Sequence, residues 1–391
     1  GKDYDRFRSL RRVGLASLAA QDPRESIGLV KAASVNTLHD PPGITAWAGT
    51  MSILRRDCEG AISTCSEALR QDDRVVRALR DRAAAKMETG DHKGALEDLL
   101  RVQTFRQNVF GDWVASGEAR LKLKDYVGAV VDLDKAIKVD ARRALAWRHR
   151  AAARYALRDY ESTITDCNEA LRLEPGDPDV HFMRGRSKWE LGDFAGCLVD
   201  YDVAIKHDPM RPASWFERAE AKIALGDDEG AVRDLAKALQ IDPSSIQSWV
   251  HKARIMTKMK NWKQAIRDST RVIMLDPTLA EAWTIRGESK VMLRDMVSAL
   301  PDFEEAARLD PTCALPWYYA AKAKFQKGLY IAAIVDCQEA LKADPKHKRT
   351  LVLLEKCRDM EERLRDHVLE GFKPLTPRRK GQEHLMCLVE D

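Results

Sequence analysis

Residues 212–245 read PASWFERAEAKIALGDDEGAVRDLAKALQIDPSS, and this 34-residue unit returns along most of the chain. Trp215 stands at its fourth position. Six of the nine tryptophans are separated by 34 residues or a multiple of 34: Trp113, Trp147, Trp215, Trp249, Trp283 and Trp317. A fixed period of this length is typical of a repeat architecture. Nine units therefore begin at 42, 76, 110, 144, 178, 212, 246, 280 and 314 and run through His347 without insertion or deletion.

Small residues recur at three positions of the unit. Position 8 is Gly or Ala in all nine units, position 20 is small throughout, and position 27 is Ala in seven units and Val in two. Small residues at fixed positions of helices let two helix backbones approach closely. The pattern therefore predicts two helices per unit that pack together through these positions.

A turn and a stop signal divide each unit. A Gly-Asp, Lys-Asp or Arg-Asp pair such as Gly192-Asp193 ends the first helix and begins the second. The last six units close with an acid and a proline, as in Asp242-Pro243, and proline stops a helix. Each unit is thus predicted to be a hairpin of helix A and helix B that must stack on its neighbours. Pro301, at position 22, should delay helix B of its unit until Ser298 caps it.

The flanks of the array have their own patterns. Residues 1–41 are predicted to form a degenerate N-terminal repeat or cap, because residues 7–41 match several positions of the unit. Residues 348–371 carry an apolar stripe at helical spacing and are predicted to form a C-terminal capping helix, which a solenoid needs to cover its last face. Residues 372–391 are predicted to be a basic tail that docks on a partner or on the chain's own surface.

The unit resembles the tetratricopeptide repeat. The resemblance rests on Trp at position 4, Gly or Ala at 8, the Gly-Asp-like turn, Ala at 20, an aromatic residue or Leu at 24, Ala at 27 and Pro at 32, and it covers residues 42–347. It implies an all-α fold, namely a right-handed superhelical solenoid of helix-turn-helix hairpins. It also implies a protein that binds other proteins, with an inner, concave face built from positions 2, 5, 9, 12 and 13 of helix A.

Composition and charge narrow the class of protein. The chain of 391 residues is 45% hydrophobic and 32% charged, which is typical of a well-folded protein. Its 65 basic and 61 acidic residues nearly balance, and this argues against nucleic acid as the partner. No apolar run approaches the roughly 18–20 residues that span a bilayer.

The location and redox state follow from weaker signals. No signal peptide is visible. The chain opens with Gly and not with Met, so removal of a presequence is kept as an alternative. The eight cysteines form neither a Cys-x-x-Cys pair nor a metal-ligand spacing with histidine. We interpret them as reduced, which favours a cytoplasmic location, with the nucleus or an organellar matrix as alternatives.

Catalytic chemistry is not predicted. The chain has no Walker A loop, Gly-x-Gly-x-x-Gly, Gly-x-Ser-x-Gly or His-Glu-x-x-His motif, and we expect no enzyme activity, metal site or cofactor. Single histidines such as His181 and His251 are interpreted as groove or surface residues. Position 9 carries no Asn in any unit, so the carboxylate clamp with which related co-chaperones grip Hsp70 or Hsp90 is absent.

Two charged positions allow a structural and a functional interpretation. Position 7 is basic in most units and position 23 is Asp in eight, while position 11 is basic in seven. A basic row could attract an acidic or nucleic-acid ligand. Because the aspartates match the bases in register, we favour ion pairs between helix A and helix B, and predict them for Arg150, Arg184, Arg218 and Arg286.

The predicted function is a scaffold or adaptor that binds a peptide or helix of a partner in the concave groove, within a larger complex. The alternatives are a chaperone-like or regulatory arm without the clamp and, more weakly, an RNA-binding repeat. Aromatic and arginine residues together are typical of binding hot spots. The candidate residues on the inner face are Arg148, Tyr155, Phe182, Arg186, Trp189, Phe216, Arg254, Tyr318, Lys322 and Phe325. Trp189 and Phe325 have the alternative of packing between neighbouring hairpins.

Overall fold

The computed structural model describes residues 57–106 and 108–369, and every regular element in these ranges is an α-helix. The degenerate repeat at 1–41, the tail at 372–391 and Gly371 lie outside them. In chain order the helices are α1 Cys58–Gln71, α2 Val76–Thr89, α3 His92–Phe105, α4 Phe110–Lys122, α5 Tyr126–Val139, α6 Ala144–Ala156, α7 Tyr160–Leu173, α8 Pro178–Glu190, α9 Phe194–His207, α10 Pro212–Ala224, α11 Asp228–Ile241, α12 Ile246–Lys258, α13 Trp262–Leu275, α14 Ala280–Met292, α15 Met296–Leu309, α16 Ala314–Gln326, α17 Tyr330–Ala343 and α18 Lys348–Leu369.

The helices keep the register of the 34-residue unit. Helix A begins at position 1 in each of the eight units whose helix A is described, and helix B begins at position 17 and ends at position 30 in all nine. Helix α1 is helix B of the unit that begins at residue 42. The hairpin architecture that the sequence predicted is confirmed in these ranges.

The chain divides into two compact units at Pro209 and Met210. The described part of the first unit holds α1 to α9 and that of the second holds α10 to α18. Within each unit every helix packs on the next one along the chain. Helix A also packs directly on helix A of the next hairpin at α4 and α6, α6 and α8, α12 and α14, and α16 and α18.

The core matches small residues at position 8 to larger ones at position 24. Gly185 faces Tyr201, and a Cβ at residue 185 would lie 2.7 Å from the ring. Gly287 faces Phe303 in the same way, at 2.8 Å. Both rings are fully buried. Where position 8 is Ala, position 24 holds no aromatic residue: Leu99, Cys167, Leu235, Ser269 and Cys337. Helix A and helix B therefore approach closely at position 8, as predicted. In each hairpin the residue at position 8 is matched to the size of the residue at position 24.

The turn inside each hairpin has a constant geometry. Position 15 is left-handed in eight hairpins, with φ between 59° and 85°, although only four of these residues are glycine. Position 16 then caps helix B: its Asp or Asn side chain accepts the N–H of position 19 in eight units, as Asp227 does from Gly230 at 2.8 Å. Leu329 occupies this position before α17 and makes no side-chain cap.

The expected delay of helix B at Pro301 is wrong. Helix α15 begins at Met296 like its counterparts, and Asp295 caps it by accepting the Ser298 N–H at 3.1 Å. Pro301 lies inside the helix and cannot bond the Val297 carbonyl. Because Pro301 is exposed and the Val297 side chain is 65% exposed, this break lies on the solvent side of the helix. The Asp295 cap therefore decides where the helix begins.

We expect Leu329→Asp to raise the free energy of unfolding of the second unit by about 1 kcal/mol. Leu329 is 52% exposed, and its N–H already bonds the Lys324 carbonyl as the Asp227 N–H bonds that of Lys222. The new carboxylate would therefore face free N–H groups of α17. Urea titration would measure the gain, with Leu329→Ala as the control that lacks an acceptor. An equal or lower stability of the Asp variant would contradict this account of the caps.

Candidate functional site

In four units the tryptophan at position 4 ties its hairpin to the preceding one. The indole N–H of Trp147, Trp249, Trp283 and Trp317 donates to a carbonyl of the preceding linker over 2.9–3.3 Å. His181 occupies this position in its unit, with Nε2 3.0 Å from the Pro175 carbonyl oxygen. It is only 8% exposed. The interpretation of His181 as a groove or surface residue is therefore wrong, because the ring replaces an indole in the core.

The predicted ion pairs between helix A and helix B are confirmed. The four arginines at position 7 donate from Nε to the aspartate at position 23 over 2.8–3.1 Å: Arg150 to Asp166, Arg184 to Asp200, Arg218 to Asp234 and Arg286 to Asp302. All eight aspartates at position 23 are 4% exposed or less. A buried carboxylate requires such partners.

The base at position 11 contacts the same carboxylates. The nitrogen-to-oxygen distances are 2.7–2.9 Å for all seven: Lys86, Arg120, Arg154, Lys188, Lys222, Lys290 and Lys324. Arg150 also reaches Asp134 of the preceding hairpin at 2.5 Å and lies over the Trp147 ring. These bases point into the structure, so they do not form a row for an acidic ligand.

Four predicted residues of the first unit make contacts on the inner face of α6 and α8. Arg148 Nη1 lies 3.3 Å from Asp177 Oδ2. The Arg186 guanidinium lies 5.3 Å from the centre of the Tyr155 ring. This contact joins two successive hairpins. The Phe182 ring is half-buried, with its centre 5.9 Å from that of Tyr201.

The aromatic residues at position 12 pack within their own hairpins. Each contacts the aromatic residue that begins helix B, with ring centres 5.6 Å apart for Tyr155 and Tyr160, 4.8 Å for Trp189 and Phe194, and 5.4 Å for Phe325 and Tyr330. These pairs brace the turn between the two helices. Part of each position-12 residue is still accessible, because all three are only partly buried.

The predicted residues of the second unit differ in exposure. Phe216 is half-buried, and its ring meets His251 edge-on at 5.2 Å, while His251 Nδ1 lies 2.6 Å from Glu220 Oε1. Arg254 is exposed and bonds Glu281. Tyr318 is only 6% exposed and belongs to the core, where burial raises its pKa. It therefore offers little surface to a partner.

Lys322 lies in a basic cluster of the second unit. Burial lowers its pKa, and the nearby charges of Arg349 and Lys356 lower it further. Neither Lys322 nor Lys356 has an acidic partner in the part of the chain that the structure describes. Arg349 and Lys356 were not predicted, because residues 348–371 were interpreted only as a capping helix. Both continue the 34-residue register on α18, at positions 2 and 9, and that signal would have found them.

A comparison with protein families identifies the repeat. Residues 182–246 match the family model of the tetratricopeptide repeat. The helices within residues 182–246 form tetratricopeptide repeats, and the other described hairpins keep the same 34-residue register. No curated protein sequence matches the chain.

Several solved structures are similar to the chain at low sequence identity. The C-terminal part of a tetratricopeptide-repeat protein from Cytophaga hutchinsonii is similar over 62% of this chain and 99% of its own, with 15% identity and a TM-score of 0.55. A tetratricopeptide-repeat protein from Parabacteroides merdae is similar over 65% of this chain and 100% of its own, with 16% identity and a TM-score of 0.45. Yeast Tom70 is similar over 94% of this chain and 98% of its own, with 14% identity and a TM-score of 0.39. Tetratricopeptide-repeat proteins are in general non-catalytic, and the fold indicates a protein-interaction scaffold.

The described helices offer neither a metal-ligand cluster nor a membrane-spanning segment. Within residues 57–106 and 108–369, no group of three or more His, Cys, Asp and Glu side chains is placed to hold a metal ion. None of the helices described there is both long and apolar enough to cross a bilayer. The seven cysteines in these ranges are free thiols, five of them buried.

Two aspartates at position 23 have opposite electrostatic balances. Burial raises the pKa of Asp200, but hydrogen bonds from His181, Arg184 and Lys188 outweigh it and hold the pKa well below the usual value. Burial also raises the pKa of Asp336, where position 7 is Ala320 and Lys324 alone opposes the shift. The ionised form of Asp200 is therefore stabilised by the fold, and that of Asp336 is not.

We expect Asp200→Asn to lower the free energy of unfolding by about 3–5 kcal/mol at pH 7, since it leaves buried bases unpaired. Asp336→Asn is the matched control and should change it by less than about 1 kcal/mol. The contribution of Asp200 is present above the unfolded pKa of about 3.9 and is lost as the pH falls through the lower folded pKa. Asp336 has the opposite sign, so Asp336→Asn should be more favourable at pH 7 than at pH 3. Urea titrations at both values of pH would measure this, and equal losses in the two variants would refute it.

Proposed function

We propose that this chain is a scaffold that binds peptide segments of partner proteins along the inner face of helix A. The observation that carries the proposal is the basic cluster of Lys322, Arg349 and Lys356 in the second unit. Two of its charges are uncompensated in the described part of the chain, and half-burial already disfavours the charged form of Lys322. An acidic side chain or a terminal carboxylate of a partner would pair with these bases and relieve their mutual repulsion.

The apolar neighbour of the cluster supports a peptide ligand. Phe325 lies about one helical turn after Lys322 on α16, and the residue is only partly buried. A charged site next to an accessible aromatic ring suits a peptide with an acidic residue and an apolar one. A charged, polar partner such as RNA is less well matched, because the bases at positions 7 and 11 are already paired with aspartates.

We expect the double variant Lys322→Glu, Lys356→Glu to weaken binding of the main partner by about tenfold or more, through repulsion of its acidic segment. The partner would first be obtained by affinity purification and mass spectrometry, and then titrated with the purified chain by calorimetry. Lys263→Glu is the matched control, because Lys263 is exposed at position 18 on helix B. Equal affinity of the double variant and the control would contradict a role for the cluster.

Phe182 and Phe216 are proposed as apolar contacts of the partner, each in its own unit. We expect Phe216→Ala to weaken partner binding by about 2 kcal/mol or more, which is typical of a hot-spot residue. Some stability is also lost, since the ring packs on the cluster of Ala219, Leu235 and Ile255. Phe216→Leu keeps most of that packing and separates the two effects. Phe182→Ala is measured alone in the same way, and full affinity in both Ala variants would move the contact surface elsewhere.

A further inference from the structure

A pocket in the first unit lies between helix A of two successive hairpins, α2 and α4. Its volume is about 540 Å³, and its floor is formed by apolar atoms of Met87, Leu99 and Val109. Volumes of about 300–1,000 Å³ are typical of sites that enclose a ligand. The pocket is therefore large enough for more than one side chain of a bound peptide.

Three small residues on the inner side of the hairpins create this space. Ala84 stands at position 9, Gly111 at position 2 and Ala115 at position 6. A Cβ on Gly111 would meet no atom within 4 Å, so the glycine leaves room without relieving any crowding. Position 6 holds larger side chains in other units: His149, Met183, His251, Ile285 and Tyr319. The pocket is thus a local departure from the repeat and not a feature of every joint.

The side chains that line the pocket carry a net negative charge. Arg80 is fully engaged by Asp112, with Nε to Oδ1 and Nη2 to Oδ2 both at 2.6 Å, so this pair is neutral. Glu88 and Glu118 also line the pocket, and neither has a hydrogen bond or ion pair among the described residues. His149 lies near Glu118, but burial lowers its pKa and leaves the ring neutral at pH 7. Lys122 and Arg148 also lie near the His149 ring, but no described base forms an ion pair with Glu88 or Glu118.

We propose that this pocket binds a peptide segment of a partner that carries an apolar side chain next to an arginine or lysine. The apolar side chain would fill the space above Met87, Leu99 and Ala115, and the basic one would pair with Glu88 and Glu118 at the rim. Glu88 is exposed and Glu118 half-buried, so the carboxylates are accessible from the inner face. The inference deepens the proposed scaffold function, on which it rests, and gives the first unit a ligand of opposite charge to that of the basic cluster.

The test uses the full chain and a set of fluorescein-labelled hexapeptides measured by fluorescence anisotropy. Each peptide carries one Leu, Met or Phe and two Arg at varied spacing, and each has a counterpart in which Glu replaces Arg. We expect at least one Arg peptide to bind, and to bind about tenfold more tightly than its Glu counterpart. Raised salt should weaken it, because the rim charges are accessible to solvent.

Two variants examine the pocket itself. Gly111→Leu fills it, and Leu145 and Leu315 stand at the same position of other units, so the fold accepts this side chain. Glu88→Gln with Glu118→Gln removes the charge. We expect each to weaken the Arg peptide about tenfold without lowering the melting temperature. Glu190→Gln is the matched control, since Glu190 is exposed at position 13 of another unit, as Glu88 is, and it should leave the affinity unchanged.

The outcomes separate this inference from the proposed function. The proposal that the pocket binds a basic peptide is overturned if no Arg peptide binds more tightly than its Glu counterpart. It is also overturned if Gly111→Leu binds the Arg peptide with unchanged affinity. If Arg peptides bind but are lost only in Lys322→Glu, Lys356→Glu or Phe216→Ala, the inner face binds peptides and the pocket does not. The proposed function is judged on the main partner and those second-unit variants, so it can stand when this inference fails.

Discussion

The hairpins depend on one electrostatic constraint, which is the neutralisation of a buried aspartate on helix B. An ionised carboxylate at 0–4% exposure is stable only when cations and hydrogen-bond donors face it. Bases at positions 7 and 11 of helix A meet this need in most units, and they hold the two helices in a set orientation. Where position 7 also reaches the preceding hairpin, as Arg150 reaches Asp134 and Arg184 reaches Asn168 at 2.7 Å, the same side chain aligns successive repeats.

This use of charge occupies the bases that recur in every part of the described array. The bases at positions 7 and 11 are paired with aspartate, and on the inner face Arg148 and Arg254 have acidic partners as well. Among the described residues, Lys322 and Lys356 of the second unit and Glu88 and Glu118 of the first form no ion pair. In the function proposed above, these departures from the repeat would select the partner, since the regular positions serve stability.

The candidate site was predictable only in part. The inner-face positions were known from the resemblance, and Phe182, Phe216 and Lys322 are accessible there. Tyr318 occupies an equivalent position and is nevertheless in the core, where it packs against His347 and Tyr319. The pocket between α2 and α4 was not predicted, because Ala84, Gly111 and Ala115 are unremarkable one by one. Their effect arises from their proximity across two hairpins.

The sequence by itself determined the helices, the hairpins and their register. A 34-residue period with small residues, Asp caps and prolines specifies these locally, through backbone geometry and the close approach of neighbouring helices. It also determined the ion pairs, because a base at position 7 and an aspartate at position 23 recur at the same spacing in successive units. Only the tertiary structure decided that His181 replaces a tryptophan, that Pro301 stays inside its helix, and which charges are left unpaired. Those outcomes depend on burial and on contacts between residues far apart in the chain, and a repeat pattern does not encode them.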